Sequence, residues 1–195
     1  MKKLILLACI ATISFASSCK NDKKETTEET TTTVEEPVVE TKKEEVKKIK
    51  IKLDAKSESN VNGSAVFTEQ NGTVKMVAVM DGLTPGDHAI HVHEKADCSS
   101  ADGKSTGGHW NPTAQPHGKW GATEGYHKGD IGNFKADENG NGTITFETDQ
   151  WCIGCGDPNK DIVGKAIIVH QGIDDFTTQP TGAAGGRVSC GGIIQ

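Results

Sequence analysis

From residue 48 to its end, the chain breaks into short β-rich runs closed by turn residues and shows almost no helical period. Eight runs read as strands: 48–55, 61–70, 73–82, 87–94, 130–137, 142–149, 163–170 and 187–194. Asn71-Gly72 between the second and third is a strong hairpin signal. With 23 glycines in the chain, this pattern predicts an all-β antiparallel sandwich or barrel. Two stretches refuse the pattern, a Gly/His/Pro/Trp-rich loop over 95–129 and a Gly/Thr loop over 171–186. Loops this long inside one domain are usually functional.

The N-terminal part is different material. Lys2 and Lys3 precede an apolar run and then ASS before Cys19, which predicts a signal peptide over 1–18. The run is too short to span a bilayer as a helix. A cysteine directly after small residues resembles a bacterial lipoprotein signal, with Cys19 lipidated. Residues 19–47 are polar, Thr-rich and dense in Lys and Glu, and read as a disordered tether. These expectations place a domain over 48–195 in the cell envelope of a Gram-negative bacterium, periplasmic or held to a membrane by its lipid. Removing residues 1–50 from the totals leaves 11 basic and 18 acidic residues, a balance that argues against a nucleic-acid partner.

DENGNGTITFET (137–148) nearly fits a calcium-binding loop, but its twelfth position is Thr148 and no helices flank it. A hairpin turn with Gly140 and Gly142 explains it better. WCIGCGDPNKD (151–161) carries Cys152 and Cys155. Such a C-x-x-C can be a redox pair, half of a zinc site or a small structural disulfide. With no second C-x-x-C to complete a zinc site, a Cys152–Cys155 structural disulfide is the expectation, ahead of copper acquisition.

All seven histidines of the chain lie between residues 88 and 170, three of them in HAIHVHE (88–94). Residues two apart on a strand share a face, so His91 and His93 point the same way about 7 Å apart. His109 and His117 follow in GGHWNPTAQPHGKW, His127 and Asp130 in GYHKGD, and His170 ends the apolar run KAIIVH. Neutral imidazoles with one carboxylate are ligands for zinc or copper. Six histidines and an aspartate exceed the needs of one four-coordinate ion. They suit two ions sharing a bridging histidine.

The ordered set H-x-H, G-G-H-x-N-P, H-G, H-x-G-D, a strand ending in V-H and G-G-R-V-S-C-G resembles Cu/Zn superoxide dismutase. The resemblance implies an eight-stranded Greek-key β-sandwich or flattened barrel, immunoglobulin-like, with two long functional loops. It implies copper on His91, His93, His109 and His170, and zinc on His109, His117, His127 and Asp130, with His109 bridging. Asp174 matches the carboxylate linking a copper histidine to a zinc histidine. His88 matches a position outside the ligand set and is expected to make a structural hydrogen bond. Arg187, the domain's single arginine, matches the residue that guides superoxide. Cys98 and Cys190 match the family disulfide.

The implied reaction is dismutation of superoxide to dioxygen and hydrogen peroxide by one-electron cycling of copper, with His109 carrying a proton. The 171–186 loop contains no lysine, so steering beside Arg187 is expected to draw on Lys119, Lys128 or other neighbours, or to be weaker. The GGIIQ terminus resembles that of dimeric members and allows a homodimer. The rival functions are a metal-binding or metal-delivery protein on the same fold and a purely structural β-domain. The complete ligand set with Arg187 favours the enzyme.

Overall fold

A computed structural model of the chain describes residues 45–195. The expected signal peptide, the lipidated Cys19 and nearly all of the expected tether lie outside the described residues. Eight strands follow in order: β1 Lys47–Ala55, β2 Asn62–Gln70, β3 Thr73–Asp81, β4 Gly86–His93, β5 Gly132–Ala136, β6 Gly142–Thr148, β7 Ala166–His170 and β8 Arg187–Gly192. Each overlaps one of the eight runs read from the sequence. Among the described residues the only helical element is a single 3-10 turn, Lys104–Thr106, inside the first long loop.

The alternation that marks the strands is a burial pattern. Along β1, Ile49, Ile51 and Leu53 are buried while Lys48, Lys50 and Lys52 are exposed. Along β3, Val74, Met76, Ala78 and Met80 turn inward. β2 and β3 meet at Asn71-Gly72, both at positive φ, which keeps their pairing in register from Gln70↔Thr73 to Asn62↔Asp81. Between β5 and β6 the near-calcium sequence is a turn. The Asp137 carboxylate accepts the backbone N–H groups of Asn139 and Asn141.

The strands close into one antiparallel barrel in the order β1-β2-β3-β6-β5-β4-β7-β8. Two connections, β3 to β4 over 82–85 and β6 to β7 over 149–165, each skip two strands. Closure comes from Asp54↔Cys190 and Ala55↔Ser189 between β1 and β8. Phe67, Met76, Ile90, Val92, Ile167 and Val169 pack inside with other apolar side chains.

β4 and β7 break the alternation, because Ala89–His93 and all of β7 are buried. Their inward residues, Ile90, Val92, Ile167 and Val169, belong to the core, whereas His91, His93, Ile168 and His170 lie on the opposite face. That outer face is covered by the two long loops. The Cys98–Cys190 disulfide, with Cα atoms 5.9 Å apart, ties the first loop to β8. Cys98 and Cys190 pack there against Ala166 and Ile168.

Cys152 and Cys155 form the second disulfide, the bond that a structural bridge or an oxidised redox pair makes and half of a zinc site does not. The Asp161 carboxylate holds the same loop by accepting the N–H groups of Gly154, Gly156 and Val163.

Candidate metal centre

His91 and His93 alternate on β4 and present their rings to the covered outer face, and His170 ends the neighbouring β7. The first loop returns to β4 through an isolated antiparallel bridge, His93↔His109. Around it Trp110 donates its N–H to Val92 O at 2.8 Å, and Val92 donates to Gly129 O at 2.9 Å. A Cβ at position 129 would sit 2.1 Å from Val92 O, so only glycine lets the loop lie this close to the strand.

Two clusters result, and His109 belongs to both. One ligand atom each from His91, His93, His109 and His170 can lie within 4.8 Å of one another, and the same holds for His109, His117, His127 and Asp130. All seven residues are buried. The His91 and His109 ring centroids are 4.0 Å apart, and those of His109 and His117 5.3 Å.

Hydrogen bonds decide which nitrogen each ring leaves free. His91 Nε2–H donates to Asp174 Oδ2 at 2.9 Å, and His117 Nε2–H donates to Asp174 Oδ1 at 2.8 Å. His93 Nδ1–H donates to Gly107 O at 3.0 Å, and His170 Nδ1–H reaches toward Gly185 O at 3.4 Å. The second nitrogen of each of these rings has no hydrogen-bond partner: Nδ1 of His91 and His117, and Nε2 of His93 and His170. His109 Nε2 and His127 Nδ1 are orphaned in the same way. Nδ1 of His117 and His127 lies 3.0 and 3.2 Å from Asp130 oxygens, close enough for shared coordination although hydrogen-bond geometry fails.

The model for copper/zinc superoxide dismutase matches residues 61–193. This chain belongs to that family. Superoxide dismutase (Cu-Zn) 2 from Aquifex aeolicus (strain VF5) is 34% identical over 140 residues, which cover 70% of this chain and 81% of that protein. Among solved structures, a double mutant of a SOD-like protein from Bacillus subtilis aligns with a TM-score of 0.67 at 28% identity, covering 75% of this chain and 97% of its own. The clock protein EA4 aligns with a TM-score of 0.62 at 36% identity, covering 74% and 94%.

The family implies copper and zinc, and the residues fit both ions. A buried polar atom without a partner is costly, yet six imidazole nitrogens here are left so and converge in two groups. A metal held there would satisfy them, and the bonded second nitrogens fix the tautomers. Burial, reinforced by neighbouring imidazoles, lowers the pKa of His93 and His170 far below the usual histidine value and that of His109 to about 4. These rings are therefore neutral at pH 7, the form that ligates. For His117, burial is outweighed by the two carboxylates beside it, Asp130 close to Nδ1 and Asp174 accepting Nε2–H, which raise it to about 9. Asp130 and Asp174 are held well below the ordinary carboxylate range. Burial opposes this, but the histidine hydrogen bonds prevail.

His88 lies outside both clusters. Its Nδ1 is 2.9 Å from His170 O and its Nε2 2.8 Å from Thr84 O, so it pins the end of β7 to the turn before β4. Arg187 sits at the rim of a cavity of about 290 Å³, lined also by Ser57, Asp102, Lys104, His93 and His170. Neither Lys119 nor Lys128 lines this mouth. The Lys128 ammonium is turned away to Gln150, and the lysine that does reach the cavity, Lys104, comes from the 3-10 turn and pairs with Asp102 at 3.1 Å. Its placement follows from how the first loop folds against β8, which no local motif announces. The backbone partners of the rings, Gly107 and Gly185, were equally silent in the sequence.

Proposed function

We propose that this chain dismutes superoxide, with copper held by His91, His93, His109 and His170 and zinc by His109, His117, His127 and Asp130. The observation that carries the reading is that seven buried residues converge in two groups sharing His109, with six of their imidazole nitrogens lacking a hydrogen-bond partner. Copper bound there supplies the one-electron chemistry that converts two superoxide ions and two protons to dioxygen and hydrogen peroxide, while zinc has no redox role.

The chain's own groups do the rest. His109, with Nδ1 against Asp130, takes up and returns a proton at Nε2. Asp174 keeps His91 and His117 in the tautomers that turn Nδ1 inward. Arg187 attracts the anion to the cavity and offers it N–H donors. The enzyme works in the cell envelope, carried on an N-terminal tether lipidated at Cys19. Its exposed Ile194 suits a homodimer contact.

The test is to produce the full chain, measure copper and zinc per chain, and follow superoxide decay on the same sample. Near one copper and one zinc with fast decay is the expected result. Full loading of both metals without activity would overturn it in favour of a metal carrier.

A further inference from the structure

Arg187 does not lie loose at the mouth of the cavity. Nη1 donates to Gly103 O at 2.9 Å and to Thr106 Oγ1 at 3.0 Å, and Nη2 donates to Gly107 O at 2.9 Å. A guanidinium has five N–H donors in a rigid fork. Three are spent on the first loop, which leaves two for an anion, the Nε–H and one on Nη2.

Thr106 is the only side chain among these three acceptors. It is fully buried, at 0% exposure, and its hydroxyl donates to Gly103 O at 2.9 Å. That donation turns the oxygen lone pairs toward Arg187, so one hydroxyl is anchored and accepting at once. The next residue, Gly107, carries the carbonyl that also accepts His93 Nδ1–H at 3.0 Å. The segment Gly103–Gly107 thus sets the arginine fork and one imidazole ring of the first cluster from adjoining residues.

We infer that Thr106 is a positioning residue, whose hydroxyl aims the Arg187 guanidinium so that its two remaining N–H groups meet a small anion entering beside His93 and His170. The inference rests on Arg187 acting as the anion guide. Without the Thr106 acceptor, the Nη1–H loses its buried partner and the fork is held by two carbonyls that permit rotation about a narrower base. Loss of one charge-assisted hydrogen bond of this kind is expected to cost about tenfold in anion affinity.

The experiment compares metal-loaded full chains carrying Thr106→Val, which keeps the shape, Thr106→Ser, which keeps the hydroxyl, and Arg187→Ala. Each is read by metal content, by azide titration of the copper absorption band and by kcat/KM for superoxide across ionic strength. Thr106→Val should retain both metals, bind azide about tenfold more weakly and lose a similar factor in kcat/KM. Thr106→Ser should restore both values to within about twofold. Azide binding and kcat/KM unchanged in Thr106→Val while Arg187→Ala is impaired would overturn the inference alone. An unimpaired Arg187→Ala would instead overturn the anion-guide reading beneath it. Should Thr106→Val fold poorly or lose copper, Thr106→Ala decides, and metal loss there too would make Thr106 a residue of the fold and end the proposal.

Discussion

Asp174 lies 2.9 Å from His91 through Oδ2, and this single contact decides which face of the His91 ring is offered to a metal. With Nε2–H committed to the carboxylate, only Nδ1 is left to ligate. The other oxygen does the same for His117 at 2.8 Å, so one side chain orients a ring in each cluster. Its backbone is fixed in turn by paired bonds with the Asn133 amide, both 2.8 Å.

Asp174→Asn should therefore weaken both clusters together. An amide oxygen can accept from one imidazole, but the amide NH2 then faces the N–H of the other. A loss of about 10–100-fold in metal affinity is expected. Chelator competition for zinc and copper in the variant checks it, and wild-type affinity for both metals would refute the orienting role.

The metal-free protein should lose stability on acidification. Unfolded imidazoles titrate near 6.5, whereas burial first and neighbouring rings second hold His109 at about 4 and His93 and His170 well below the usual value. Between these limits the unfolded chain binds protons that the folded chain refuses, so stability falls as pH falls. His109 alone is worth about 3 kcal/mol across that window. Asp130 and Asp174, whose values are depressed, add stability above the ordinary carboxylate pKa that is lost at still lower pH. His117, raised to about 9, acts in the opposite sense. Its contribution is complete below 6.5 and is lost as pH rises toward 9. The urea midpoint of the metal-free chain should thus be highest near pH 6.5 and lower at both pH 5 and pH 9.

The two disulfides should differ in what their removal does. Cys98–Cys190 joins residues 92 apart and fastens the segment that carries the Arg187 acceptors, so Cys98→Ser with Cys190→Ser should cost about 4–5 kcal/mol in the loop-entropy model and slow superoxide decay. Cys152–Cys155 closes a loop that Asp161 already holds. Its double serine variant should cost at most about 2 kcal/mol and leave decay unchanged. Urea unfolding and superoxide assays on the two double variants make the comparison.

Gly129→Ala should destabilise the centre from behind. The added Cβ would press on Val92 O at 2.1 Å and drive apart the bonds that seat His109 beside β4. The expected cost is about 2–4 kcal/mol, read from thermal unfolding, with weakened zinc retention. Wild-type stability in this variant would show that the loop can shift without loss.

The sequence alone determined the elements and the candidate ligands. Ile49, Ile51 and Leu53 alternate with lysines because a strand with one face in a core must do so, and that rule is local. His91 and His93 announce a shared face for the same reason, and the ordered motifs named the remaining candidate ligands. Strand neighbours were not local. β3 pairs with β6 and not β4 because burial of the whole set, with every edge bonded, selects the crossover connections and the closed ring. Which nitrogen each histidine frees depends on Asp174, Gly107 and Gly185, residues 14 to 83 positions away in the chain. The same holds at the mouth, where Lys104 lines the cavity and Lys128 turns to Gln150. A side chain's partners there are set by how two distant loops pack on one sheet face, and only the folded chain brings those loops together.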